Sequence, residues 1–406
     1  MKENEKKVKI KKVIVIVVCS VVGFVLILGA SAYLFVHSYI SKMNLTDLAE
    51  EETAYAGDSI YEEGSLIDKE DVEYDSDKAV EAGATGNSGN SFPGTGEMTS
   101  EDEVISLSGF SDDEDADSDA EDIEELEEEV SKYLSDSSIP IMEDSKIINI
   151  LLIGSDTRNE KERGLSDSMI LISINKTSEK ITATSLLRDI YLEIPGKQND
   201  RLNTAFASGG AKLLMETIEQ NFKIKIDKYI AIDFMAFIDI VDAVGGVTIE
   251  VTEEELPIVN RYITEINNML SINKNQDHLT DAGIQLLNGK QALSYSRVRY
   301  VGTDFGRTER QRRVLGLMFE KIKGLNMSGI NDLLQLVLPQ VTTNFKEGEI
   351  FSQILMIPDY LKYDYEQWSI PMKGTYKDLT IRGMSVLGID FEENTLELHR
   401  RVYLTD

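Results

Sequence analysis

The chain has 406 residues, 72 of them acidic and 41 basic, for a formal net charge of −31, with one cysteine and three histidines. A single thiol excludes an internal disulfide framework, and the scattered His37, His278 and His399 leave no zinc-type cluster, so any bound ion must be hard and oxygen-ligated. The acidity is local: residues 41–145 carry 34 Asp/Glu against four Lys, whereas the remaining 261 residues beyond them are close to balance, at about −5. No helix-turn-helix pattern or broad basic face for nucleic acid is evident.

Six lysines in the first twelve residues precede Val13–Val36, a run of 24 residues without a charge. At helical rise that run spans roughly 36 Å, enough to cross a bilayer. The positive-inside rule keeps the lysines in the cytoplasm and places everything after Val36 outside. A cleaved signal peptide competes, with Ala30-Ser31-Ala32 as a small-residue site. The apolar run is longer than a signal requires, however, and continues through Tyr33, Leu34 and Phe35. Cys19 has no small residue before it, against a lipoprotein-type signal.

Residues 37–145 read as an acidic spacer, with disorder expected from about 45 to 140. Stretches such as SDDEDADSDAEDIEELEEEV (111–130) cannot bury enough apolar surface to offset chain entropy. Ile123, Leu126, Val130 and Leu134 recur at helical spacing and allow one short amphipathic helix. The plain reading is a self-repelling stalk that holds the folded part off the membrane; a calcium sponge or a partner tail are the alternatives.

From Lys146 the pattern changes. Lys146–Ile153, Ser168–Ile174 and Ile181–Leu187 read as strands, and AKLLMETIEQNF after Gly209-Gly210 reads as a helix. A strand at Ile230–Asp233, a helix through Val241, a Gly245-Gly246 turn and the strand VTIEV follow, then helices at Asn288–Tyr295 and Thr308–Lys323. Residues 260–279 look like an inserted loop, read either as an acceptor or cargo loop or as a passive surface loop. Beyond Lys323, two further helices and a strand pair, QWSIPM with DLTIRGMSV, continue the same unit. Alternating strands and helices predict an α/β/α sandwich around a central mixed sheet, with ligands at the strand ends. The helices FMAFIDIVDAV (234–244) and VLGLMFEKI (314–322) read first as core and second as walls of an apolar slot.

Arginines at 297, 299, 307, 310, 312 and 313 crowd YSRVRYVGTDFGRTERQRR. Guanidinium forks grip phosphate bidentately and stay charged, so this run predicts a site for a multiply charged phosphate, with Arg312 and Arg313 as a solvated helix face. Four motifs stand in order: LLIGSDTR with LSDSMI (151–170), SLLRDIYLEIPG (185–196), RLNTAFASGG (201–210), and LSYSRVRY with DFGRTERQ (293–311). Together they closely resemble the LytR-CpsA-Psr family of cell-wall ligases over residues 146–325, with a weaker continuation to 406.

The resemblance implies a Mg²⁺-assisted phosphotransferase that moves a glycopolymer phosphate from a polyprenyl pyrophosphate carrier to a peptidoglycan hydroxyl. It assigns Asp156 and Asp167 as the metal pair. Eleven residues apart across one loop, they are also a plausible oxygen pair for Mg²⁺. It assigns Arg158, Arg188, Arg297, Arg299 and Arg307 to phosphate, with Gln311 in the same cluster, and Asp304 as an acid that orients or deprotonates the acceptor. Arg201 stands where the family commonly has Lys, and Arg310 lies near the face of Arg307 and Gln311, so both join the expected clamp. The chain departs from the family at Leu165-Ser166-Asp167, where Arg-Ser-Asp is common and Arg163 lies two places earlier. The catalytic set is thus Arg188, Asp304 and Arg307. A non-catalytic polyprenyl phosphate receptor and a pyrophosphate hydrolase are the competing functions.

Overall fold

The structure, a computed structural model, describes residues 37, 41, 43–46, 48, 139–155, 164–299 and 304–404. The expected membrane span Val13–Val36, most of the acidic stretch, Asp156, Arg158 and Arg163 lie outside the described residues. Among those described, no helix is long and apolar enough to cross a membrane.

In chain order the elements are β1 (Asn44–Leu45), β2 (Ile147–Ser155), β3 (Ser166–Asn175), β4 (Lys180–Leu186), β5 (Tyr191–Leu192), β6 (Asp200–Arg201) and α1 (Leu202–Phe222). Then come β7 (Lys228–Ile232), α2 (Phe234–Ala243), β8 (Val247–Val251), α3 (Glu255–Met269), β9 (Gly283–Leu287), α4 (Gly289–Ser296), α5 (Asp304–Lys323) and α6 (Met327–Val337). The chain closes with β10 (Thr342–Thr343), α7 (Glu347–Tyr360), β11 (Asp364–Ile370), β12 (Tyr376–Ile381), β13 (Met384–Ile389) and α8 (Phe391–Tyr403).

Seven strands form one mixed sheet in the order β1-β10-β7-β2-β3-β4-β11. The central β2, IINILLIGS, is apolar on both faces because helices cover both sides. Its alternation sorts the layers: Leu151 and Ile153 join Met169, Leu171, α1 and α8 in the main core, while Ile150 and Leu152 face the opposite layer with Ile174, Ile230 and α7. The sandwich expected from sequence is therefore present. Residues beyond 325 are integral to it, since β11 pairs in parallel along the whole of β4, from Asp364↔Lys180 to Ile370↔Leu186.

Local chemistry explains most element ends. The Asp233 side chain accepts from Ala236 N at 2.8 Å to start α2, and Asn288 with Gln291 forms a reciprocal capping box on α4. Gly289 is needed there, because a Cβ would lie 2.1 Å from Ile238 O where α4 meets α2. In α1 the helix begins nine residues earlier than the apolar pattern suggests and kinks at Gly209-Gly210, with Gly210 at φ +67°.

Three expectations change. Residues 260–279 are not one loop: α3 runs to Met269, and Asn267 then ties down the following turn by donating to Lys274 O and Gln276 O. QWSI and DLTIRGMSV do not pair. QWSI lies in β11, whereas DLTIRGMSV folds on itself as β12–β13 around Arg382 and Gly383, both at positive φ. Residues 43–46 and 139–145, assigned to the spacer, belong to the folded unit: β1 extends the sheet beside β10, and Met142 bridges to Ile224.

Candidate active site

The expected residues arrive from separate elements at one end of the sheet. Asp167 is the second residue of β3, across the bulge that ends β2; Arg188 follows β4; Arg201 ends β6 and caps α1; Arg297 ends α4; Asp304, Arg307 and Gln311 lie on α5.

Asp167 is the hub. Its Oδ1 accepts from Arg188 Nη1 at 2.9 Å and lies 3.5 Å from Arg299 Nη2 and 3.8 Å from Arg307 Nη1. Burial opposes its ionisation, but Arg307, Arg188 and Arg299 outweigh that cost and hold the carboxyl below its ordinary range. Asp304 Oδ1 sits 2.7 Å from Arg307 Nη2 and 3.8 Å from Arg188 Nε. Its Oδ2 is buried without a hydrogen-bond partner. The guanidinium of Arg307, 2% exposed, makes no well-aligned hydrogen bond despite these short charge contacts. Burial lowers its pKa, Asp304 opposes that, and neighbouring Arg188 and Arg299 add to it. Such a group gains from an incoming anion.

Asp189, next to Arg188 in SLLRD, is a member of the site that the motif pattern alone does not single out. It stands 3.4 Å from Arg188 Nε and 3.8 Å from Arg201 Nη1. Burial pushes its carboxyl up, Asp304 adds to that, and Arg188, Arg307 and Arg201 pull it down without prevailing. Arg201 therefore joins the cluster through Asp189 rather than by facing Asp167. The adjacency of acid and base in the sequence was the signal for that pair.

Two arginines have other partners. Arg310 is buried with its Nε 2.7 Å from Glu255 and its Nη1 donating to Val298 O, an internal tie between α3 and α5 rather than a clamp contact. Arg297 lies at the rim, 3.5 Å from Glu265, with its Cζ 4.5 Å from the Tyr262 ring and 5.1 Å from that of Phe234. Arg313 is exposed as expected and donates to Tyr295 OH. Arg312 is half-buried beside Tyr365 rather than fully solvated.

Behind the charged cluster lies a cavity of about 510 Å³. Its mouth is Asp167, Arg297, Arg299, Arg307 and Gln311; inward it is walled by Ile150, Leu152 and Ile170 from the sheet and Phe234, Phe237 and Ile240 from α2. Leu315 and Met318 of α5, then Phe345, Ile350, Ile354, Ile357 and Tyr360, complete it. The size is that of a small-molecule site. The helices 234–244 and 314–322 do both jobs: Ala236, Ile238 and Val241 are buried in α2 while its other face lines the cavity.

For a divalent ion, Asp167 and the helix-capping Asp233 are the carboxylates lining the cavity, and no group of three potential ligands occurs among the described residues. Mg²⁺ needs only one or two carboxylates if phosphate and water complete its shell. An ionised Asp167, one-quarter exposed at the mouth, meets that requirement.

A class of proteins matches this fold and this ordered cluster: a sequence model described as the LytR_cpsA_psr family fits residues 107–397, and the chain belongs to that family. Among its relatives, biofilm regulatory protein A of Streptococcus mutans is 36% identical over 248 residues, covering 57% of this chain and 58% of that protein. A polyisoprenyl-teichoic acid–peptidoglycan teichoic acid transferase, TagU of Enterococcus faecalis, is 36% identical over 202 residues, covering 48% of this chain and 61% of the relative. The chain thus spans about three-fifths of these curated relatives. Among solved structures, protein gbs0355 of Streptococcus agalactiae superposes with a TM-score of 0.54 at 30% identity, over 64% of this chain and 87% of that one. TagT of Bacillus subtilis, at 24% identity and a TM-score of 0.51 over 65% and 95% of the two chains, shares the fold.

Proposed function

We propose that this chain is a membrane-anchored, extracytoplasmic phosphotransferase that moves a glycopolymer phosphate from a polyprenyl pyrophosphate carrier to a peptidoglycan hydroxyl. The observation that carries this reading is the junction of a buried arginine cluster with an apolar cavity. The cluster suits a diphosphate, and the cavity behind it suits the hydrocarbon attached to that diphosphate. The names of the TagU relatives support the same chemistry, and the run Val13–Val36 supports the anchor.

In this reading the acceptor oxygen attacks the phosphorus that bears the sugar. The bond from that phosphorus to the bridging oxygen breaks, and polyprenyl phosphate leaves with the electron pair. The new bond is a phosphodiester, and the acceptor proton passes to Asp304, whose unpartnered Oδ2 is the available acceptor. Charge accumulates on the departing phosphate, so the work is positioning and electrostatic stabilisation. Arg188, Arg299 and Arg307 supply it from fixed positions, with no reorganisation at the moment of reaction. Arg297 at the rim and Gln311 on α5 border the same mouth. Mg²⁺, held by Asp167 with Asp156, would add neutralising charge on the phosphate oxygens.

The deciding experiment supplies purified full-length protein with a polyprenyl pyrophosphate-linked polymer, with and without peptidoglycan. Polymer attached to peptidoglycan, together with released polyprenyl phosphate, is the expected result. Equal release without acceptor would favour a hydrolase, and binding without release a receptor. Asp167→Asn is expected to abolish transfer, and retained activity would refute the role given to that carboxylate.

A further inference from the structure

The apolar run ends at Val36, and the next described residues already touch the domain. His37 Nδ1 lies 3.6 Å from Glu347 in the first turn of α7. Met43 lines the cavity next to Val341 and Thr343. Asn44 and Leu45 pair in parallel with Thr342 and Thr343. Thr46 donates its backbone N–H to Thr343 O at 3.0 Å, its hydroxyl pairs with that of Tyr229, and Leu48 packs on the main core. The far end of the acidic stretch is stitched to the same body: Met142 N donates to Lys223 O at 2.8 Å, and Lys225 N donates to Met142 O at 3.0 Å.

Both ends of the acidic stretch are therefore held on one domain. A segment with that topology cannot set the distance between the apolar run and the domain, as a stalk would. The six residues from His37 to Lys42 set it instead, and fully extended they reach only about 20 Å. The part of the domain at this junction is α6, α7 and the β1–β10 edge, which border the apolar part of the cavity through Val337, Ile350, Ile354, Ile357, Met43 and Thr343. Its outer surface carries Leu336 and Leu355, 38% and 59% exposed, with Leu334 half-buried on α6, while Leu333, Phe351 and Met356 pack inward on the cores. Leucines facing outward where a membrane anchor joins have an apolar medium at hand.

We propose that α6 and α7 lie in the bilayer interface, with the apolar end of the cavity towards the acyl chains, and that the acidic stretch is a side excursion rather than a spacer. This rests on the reading of Val13–Val36 as a membrane anchor. It explains how a hydrocarbon carrier can enter the cavity without crossing water, and it leaves the arginine mouth directed away from the lipid, towards the wall.

The test uses the full chain with Cys19→Ser, so that one introduced cysteine is the sole thiol. Leu355→Cys, Leu336→Cys and, across the sheet on α8, Leu396→Cys are each labelled with nitrobenzoxadiazole. The proteins are reconstituted in phosphatidylcholine–phosphatidylglycerol vesicles that contain an acyl-chain spin label. Quenching several-fold stronger at positions 355 and 336 than at 396 is expected. Equal and weak quenching at all three positions overturns the proposal. Removing half of the residues between Ala49 and Ser138 should leave the pattern unchanged, whereas quenching that varies with their number would restore the stalk. Flotation with vesicles after carbonate extraction tests the anchor separately: protein that floats with an unquenched position 355 refutes the docking alone, and protein that fails to float refutes the anchor and the docking together. Transfer activity enters neither readout, so the proposed reaction stands or falls independently.

Discussion

Arg307 and Arg310 are one helical turn apart on α5 and almost equally buried, yet they serve different regions of the molecule. Arg310 is saturated: Glu255 neutralises it at 2.7 Å, Val298 O takes another donor, and the Tyr295 ring lies 5.9 Å from its Cζ. Arg307 shares Asp304 and Asp167 with Arg188 and Arg299, and its guanidinium nitrogens lack aligned acceptors. Burial alone therefore does not separate a structural cation from a ligand-binding one. The completeness of its hydrogen bonding does.

That contrast is most sharply tested on stability. Arg310→Ala leaves Glu255 buried without its cation and should cost about 3–5 kcal/mol, seen as a fall of roughly 10 °C in Tm at that domain size. Adding Glu255→Leu should recover most of the loss. A Tm that hardly moves in the single variant would erase the distinction between the two sites.

Arg307→Ala should show the converse. Turnover in the transfer assay is expected to fall about 10²–10³-fold, the usual consequence of deleting one donor to a charge-developing oxygen. Donor binding should weaken as well, and the Tm change should be smaller than for Arg310→Ala. If turnover were lost equally in both variants, the mouth would hold no special place.

A smaller effect distinguishes the acids within the mouth. The Asp167 carboxyl is held below its ordinary range, so its stabilising contribution is complete above about pH 4 and disappears as pH falls through the lowered value. Asp189 is raised, so its contribution is present below the ordinary carboxyl value and disappears as pH rises through the raised one. Asp167→Asn should therefore lower Tm at neutral pH and flatten its acid limb, whereas Asp189→Asn should be neutral or slightly stabilising there. Tm measured across pH 3–8 in both variants checks the signs; the same response in the two would show that the arginines do not discriminate between them.

The least effect is expected at the cavity wall. Ile354→Trp should raise KM for long-chain carriers several-fold and leave short-chain carriers and Tm nearly unchanged.

Much of this arrangement was readable from the chain. The strands Lys146–Ile153, Ser168–Ile174 and Ile181–Leu187 carry strong β signals, and the arginines that meet Asp167 fall within motifs whose order is itself informative. Arg310 was harder to place because three residues along a helix turn a side chain only about 60° from Arg307, and that small angle separates the mouth from α3. Helix α3 was obscured by its asparagines, although Val259, Tyr262, Ile263 and Ile266 hold helical spacing and are buried. The two-residue β1 has no periodicity to detect; only its partner strand defines it. The edge position of QWSI depends equally on tertiary pairing, since a strand's neighbours are chosen by the fold and not by its own composition.

Parity along β2 carries a last consequence. Leu151 is locked among close-packed neighbours of the main core, whereas Ile150 and Leu152 belong to the opposite layer and line the cavity, and the two sets interleave residue by residue until Ile153, which is buried in the main core yet also borders the cavity. Exchanging bulk at the even positions reshapes a vacancy without displacing an atom of the odd ones. If the cavity holds the hydrocarbon proposed above, its shape can be retuned at alternate positions of one strand on a scaffold whose main core stays untouched.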